Sequence, residues 1–373
     1  MRILFVALGA LSLAACATPV PQARPLNADQ IAAMGPTRVL VVENDYGIGK
    51  SWLMSDSSVA AAPYGLIGVL VSAGIDAMMN YGPSARASQA ADEVAEVISL
   101  DALNTSLTQS LQAQVPASAP RTGVSLSDVS PVQRVTSVVP EDDAIEVVTS
   151  YTLSTDASAL RITVTSTYSN ASLPYATPYF PEGSPPKSEL AGPTYRNTFV
   201  YESRQLPLPV LTPELKEELV ASIRESARDE TGALPEEGTD AHRAMTKELE
   251  DAVDSRLTDA EIAFFLTREW LKDDGRLIRA EIDNAHALAA RYLVMDLNRT
   301  DVPSYEGEGS ELVETLPDGR TVYRFSGGLM AGSYVSSPAD GRALVNYGNA
   351  INYASVHMTR LQTLRTEARE QRQ

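Results

Sequence analysis

The chain has 373 residues, 48 of them acidic and 30 basic, for a formal net charge of −18. A surface of that sign repels DNA, RNA and anionic headgroups, which reward Lys and Arg, so nucleic acid is excluded as a partner. Hydrophobic residues make up 44% of the sequence, enough for one large core or two ordinary ones.

At the amino terminus Arg2 carries one positive charge, and Ile3 to Ala15 is an uncharged apolar run. That run is too short to cross about 30 Å of hydrocarbon, which takes roughly 20 helical residues. It fits the core of an export signal over residues 1–15. The run ends Leu13-Ala14-Ala15-Cys16. This order of charge, apolar run, small residues and cysteine resembles the lipobox of bacterial lipoprotein precursors. The resemblance implies cleavage before Cys16, a diacylglycerol on its thiol and acylation of the new amino terminus. Ala17 stands where Asp would imply inner-membrane retention, so the resemblance implies the outer membrane, with the body facing the periplasm. Two or more acyl chains attach a protein stably. Cys16 is the only cysteine, which makes it a lipid acceptor rather than a nucleophile and leaves nothing to form an internal disulfide. Residues 16–26, with Pro19, Pro21 and Pro25, read as a tether.

Residues 27–212 read as an α+β body. Asn27 caps a short helix through Met34, and a buried strand follows over 38–43. The strand enters Gly47-Ile48-Gly49-Lys50-Ser51, which approaches the phosphate-loop pattern G-x-x-x-x-G-K-[ST]. Position 44 is Asn where that pattern needs Gly, and Asp45 would set a carboxylate against the phosphates. We therefore read a strand and a turn in which Gly47 and Gly49 ease positive φ. Tyr292–Asp296, which imitates a strand ending in a magnesium-binding aspartate, reads as helix. Ile278, Ile282, Ala285, Ala289 and Tyr292 fall on one helical face.

Residues 57–75 contain no charge. Gly65, Gly68 and Gly74 leave notches where another backbone can approach, which makes 57–80 the candidate partner or homo-oligomer contact. Residues 90–115 read as a helix or a broken pair of helices ended by Pro116. "AIEVVTSYTL" and "ALRITVTSTY" form a hairpin around Ser154–Ser158, its second arm burying one face. The proline-rich stretch 169–193 presents Tyr175, Tyr179 and Phe180, a candidate aromatic platform for a ligand such as glycan. A strand over 197–203 follows.

Residues 213–298 read as a charged helical block. Pro213 sits at a first helical position behind Thr212, a break spans Gly232–Gly238, and Thr258 with Glu261 makes a capping box. Residues 299–373 read as a β-meander and a carboxy-terminal helix, with hairpins around Pro317-Asp318-Gly319 and around Asp340-Gly341.

Catalytic patterns are sparse. The histidines are His242, His286 and His357, with no H-x-x-x-H pair, and no G-x-S-x-G elbow occurs. His286 reads as a satisfied histidine at the edge of an apolar helix face. The acidic groups Glu141/Asp142/Asp143, Glu236/Glu237 and Asp273/Asp274 read as chance pairs in an acidic chain; the first could offer calcium oxygen ligands but lacks the spacing of a calcium loop. We expect no metal and no cofactor beyond the lipid on Cys16. The expected fold is α+β, with a mixed, mainly antiparallel sheet, a covering or adjacent helical block and a terminal meander. The expected role is a non-catalytic envelope module working through protein contacts. A ligand-binding module or an unrecognised envelope enzyme are the alternatives.

Overall fold

The computed structural model describes residues 23–44, 47–50, 82–114, 126–132, 144–154, 156–170, 193–254, 257–299, 310–325 and 332–339. Their elements in chain order are α1 (Ala28–Ala33), β1 (Thr37–Val42), β2 (Ile48–Lys50), α2 (Pro83–Val97), α3 (Leu100–Gln114), β3 (Leu126–Val132), β4 (Ala144–Leu153), β5 (Leu160–Tyr168), β6 (Tyr195–Glu202), α4 (Pro213–Ser226), α5 (Asp240–Asp254), α6 (Asp259–Leu297), β7 (Ser310–Thr315), β8 (Thr321–Phe325) and β9 (Tyr334–Ser337). The fold class is α+β, as expected. Two compact units divide the chain: residues 82–88 and 210–261 fall in one, and the remaining described residues in the other. The block read as 213–298 is thus shared between them, because α6 from Ile262 onward packs with the sheet.

The larger unit holds one nine-stranded mixed sheet in the order β3-β1-β4-β5-β6-β9-β8-β7, with β2 also paired to β4. Its centre is antiparallel, β4 to β5 to β6, because Ser154–Ser158 returns the chain at once. Alternate residues of β5 are buried, Leu160, Ile162, Val164, Ser166 and Tyr168, as the apolar alternation demands. The terminal strands form the expected meander, β7 to β8 to β9, turned at Gly319 with φ +82°. β9 then joins the sheet by pairing parallel with β6, Phe199 to Tyr334 and Tyr201 to Ser336. Both edges of β9 are therefore occupied along 334–336. Residues from Asp340 onward lie outside the described ones.

β1 and β2 lie end to end along β4, Arg38–Val42 against Ala144–Val148 and Ile48–Lys50 against Tyr151–Leu153. Asn44 fills the gap between them. Its side-chain amide donates to the Thr149 carbonyl at 3.0 Å, and its side-chain oxygen accepts from the Gly47 N–H at 2.7 Å. A buried asparagine thus supplies the ladder bond that the interrupted strand drops. Gly47 has φ +64°, as expected, but Gly49 does not share that conformation. It lies in β2, where an added Cβ would stand 3.3 Å from the Tyr151 carbonyl, so its smallness serves close approach to β4.

The helix ends follow their local chemistry. Asn27 and Gln30 form a reciprocal capping box, Thr212 caps α4 behind Pro213, and Thr258 and Glu261 cap α6 reciprocally. α2 and α3 are the broken pair, separated at Ile98–Ser99. In the smaller unit α4 buries Leu219 and Ile223, and Arg86 meets Glu248 at 2.7 Å in a largely buried ion pair.

Candidate functional site

One face of the sheet carries α3 and the second arm of α6, residues 276–297. The arm starts after a break at Lys272–Gly275, where Asp273, Asp274 and Gly275 all have φ between +54° and +70°. The break turns the chain so that Ile278, Ile282, Ala285, Ala289 and Leu293 face the sheet, all buried. Three polar side chains interrupt that apolar stripe: Glu281, His286 and Asp296. Each is at most 2% exposed. Burying such groups costs several kcal/mol unless they are hydrogen-bonded. Here the partners are tyrosine hydroxyls, because a tyrosine ring adds apolar area while its hydroxyl crosses to the helix.

Asp296 receives three donors. The Tyr195 hydroxyl of β6 lies at 2.9 Å, the Asn197 amide at 2.6 Å and the Tyr334 hydroxyl of β9 at 3.0 Å. Burial pushes its carboxyl above the ordinary range, and these donors with Arg324 only partly oppose that. Glu281 accepts from the Tyr201 hydroxyl at 2.7 Å and from Arg204 Nε at 2.9 Å. Arg320, the residue before β8, stands 3.6 Å from the same carboxylate, and its guanidinium lies 4.1 Å over the Tyr201 ring. His286 Nε2 bonds the Tyr151 hydroxyl at 2.8 Å, and Nδ1 bonds Ser106 of α3 at 2.9 Å. Ser106 in turn donates to Asp283 at 2.6 Å. Burial drives the His286 pKa from 6.5 down to about 3.

Beside the Asp296 node lies a cavity of about 20 Å³, lined by Leu107, Val164, Phe199, Ala290 and Tyr292 and ending at Asp296. That volume holds one water molecule and not a substrate. The carboxylates, the imidazole and the hydroxyls are engaged with one another, and the cation facing Glu281 is also stacked on a ring. The arrangement keys a helix to a sheet at fixed register: sliding α6 by one residue would separate every pair at once. Among the described residues no three His, Cys, Asp or Glu side chains are placed to share a metal ion.

The residues singled out from the sequence fall differently. Cys16, Gly65, Gly68, Gly74, Tyr175, Tyr179 and Phe180 lie outside the described residues, as do His357 and the Glu141–Asp143 run. Glu236 and Glu237 are exposed, and Asp273 and Asp274 pair at the surface with Arg276 and Arg279. His286 is not at an edge: it is fully buried, because α3 closes over the side of the helix that the stripe alone leaves open. Tyr292–Asp296 is helical, as expected, yet the sequence reading missed Asp296 as a hub. The signal was present. Asp296 lies seven residues beyond Ala289 and four beyond Tyr292, on the apolar face, where a carboxylate requires partners.

Comparison of the chain with family models, with curated proteins and with solved structures returns no match.

Proposed function

We propose that this chain is a lipid-anchored protein of the bacterial envelope, held on the outer membrane through Cys16 and working by protein contacts rather than by catalysis. The observation that carries the reading is the order Arg2, apolar Ile3–Ala15, then Leu13-Ala14-Ala15-Cys16, with Cys16 the single cysteine. A second observation supports the non-catalytic part. The buried acid, base and hydroxyl groups of the helix–sheet seam are bonded to each other, and the cavity beside Asp296 is the size of one water. Groups so committed stabilise a shape, and a catalytic base needs a lone pair within reach of substrate. The 57–80 segment, uncharged through Ile75 and carrying Gly65, Gly68 and Gly74, is the surface we assign to the partner or to a second copy.

The anchor is tested by feeding cells a labelled palmitate analogue. The wild-type chain is expected to carry label in the outer-membrane fraction, and Cys16→Ser to lose the label and leave the membrane. An unlabelled, uncut wild-type chain in the cytosol overturns the reading. The contact role is tested by Gly68→Leu, which should change the native mass or the co-purifying proteins; an unchanged mass and partner set removes it.

A further inference from the structure

His286 sits where three elements meet: α6 carries it, β4 presents Tyr151 and α3 presents Ser106. The bonds run in one direction. The Ser106 hydroxyl is spent on Asp283, so its oxygen accepts from His286 Nδ1–H. Nε2 is then bare and accepts the Tyr151 hydroxyl hydrogen. Every group is satisfied by one ring proton and by no more. A second proton on Nε2 would face the Tyr151 O–H, so the tyrosine would have to turn its own hydrogen away from the ring and give up the bond it now makes. The cation would also sit where no solvent reaches. The titratable groups facing the ring are Tyr151 from β4 and, through Ser106, Asp283 of its own helix; α3 contributes only the neutral hydroxyl.

We propose that this chain of bonds is an acid-sensitive latch: protonation of His286 releases α3 from α6 and β4. The closed seam accepts only the neutral imidazole. An opened seam wets the ring, which then titrates near its ordinary 6.5, so acid captures the open form. The population in which α3 is released then rises about 80-fold between pH 7 and pH 4.5 from this one group. Released, α3 exposes Leu103, Leu107 and Leu111, all buried in the closed form.

The test uses amide hydrogen exchange of the full-length chain, corrected for intrinsic pH dependence, read over residues 100–114. Wild type should lose protection there by about 80-fold more than His286→Gln over that pH range. Carboxylates and other groups titrate alike in the two proteins and cancel. Equal losses in the two proteins overturn the latch. Should the Gln variant fail to fold, imidazole nitrogen shifts of the wild type decide. A single Nδ1–H tautomer in the closed form together with acid loss of protection over residues 100–114 supports the proposal; titration of His286 near 6.5 in the folded protein, or protection there that does not fall by pH 4.5, sinks it.

Discussion

The helical pair α4–α5 and the seam between α6 and the sheet use polar residues in opposite ways. Apart from Glu248, which meets Arg86, the ion pairs at α4 and α5 lie at the surface, as in Arg228–Glu225 and Arg243–Asp240, and among the described side chains of the two helices Leu219, Ile223 and Ala252 are the buried apolar ones. At the seam Glu281, His286 and Asp296 point inward, each bonded to a tyrosine. The first pattern keeps a thin pair of helices in solution; exposed pairs of this kind stabilise little. The second makes one packing arrangement far better than its neighbours, because misalignment leaves buried groups unpaired. The same residue types therefore carry solubility in one region and register in the other.

High pH breaks the comparison most sharply. Burial raises the pKa of Tyr151, Tyr195, Tyr201 and Tyr334 above the ordinary 10. The unfolded chain loses these protons first, so the stability they carry is complete below about pH 10 and falls above it. The loss approaches 1.4 kcal/mol per pH unit for each group. Denaturation followed by near-ultraviolet circular dichroism should show a steep alkaline transition of the sheet unit. A flat profile to pH 12 would contradict the buried hydroxyls. Next in size, Asp296→Ala removes the shared acceptor of two buried tyrosine hydroxyls and the Asn197 amide, leaving Tyr195 only Ser166 and Asn197 only the Gly332 carbonyl, and should cost about 3–5 kcal/mol in urea. Third, Gly275→Ala must hold φ +70° and bring a Cβ within 2.8 Å of the Val97 side chain. It should cost about 1–3 kcal/mol, and retention of full stability would show that the α6 break relaxes freely. Last, Asp240→Ala removes a surface pair whose carboxylate is 96% exposed and should leave the urea midpoint within error. A measurable loss there would erase the distinction between the two regions.

Elements with local signals were legible in the sequence. The β4–β5 hairpin announces itself by alternation around a short polar loop, and Asn27, Thr212 and Thr258 mark helix starts. Ser154, Asp156, Ala157 and Ser158 are buried, and the Ala157 carbonyl accepts from the Trp270 indole at 2.7 Å. Nothing within ten residues of the loop predicts that partner. β3 escaped notice because Ser127, Asp128, Ser130 and Pro131 resemble a loop, and only an edge position beside β1 lets a proline serve as strand. Strand order was not legible either: parallel partners such as β1 with β4 and β6 with β9 have no turn between them to betray the pairing. At the seam the apolar stripe of α6 could be read, but the tyrosines that meet its polar residues come from three distant strands.

The parallel joint between β6 and β9 also orders events during synthesis. Tyr334 pairs with Phe199, 135 positions earlier in the chain (334 − 199), and it brings one of the three donors to Asp296. Until that strand emerges, β6 has an unzipped margin rich in Tyr, Phe and Val, and Glu281 lacks Arg320. Contacts this non-local make folding slow and leave sticky intermediates for chaperones to shield. A ribosome that stalls before Tyr334 would release a half-finished sheet primed for aggregation.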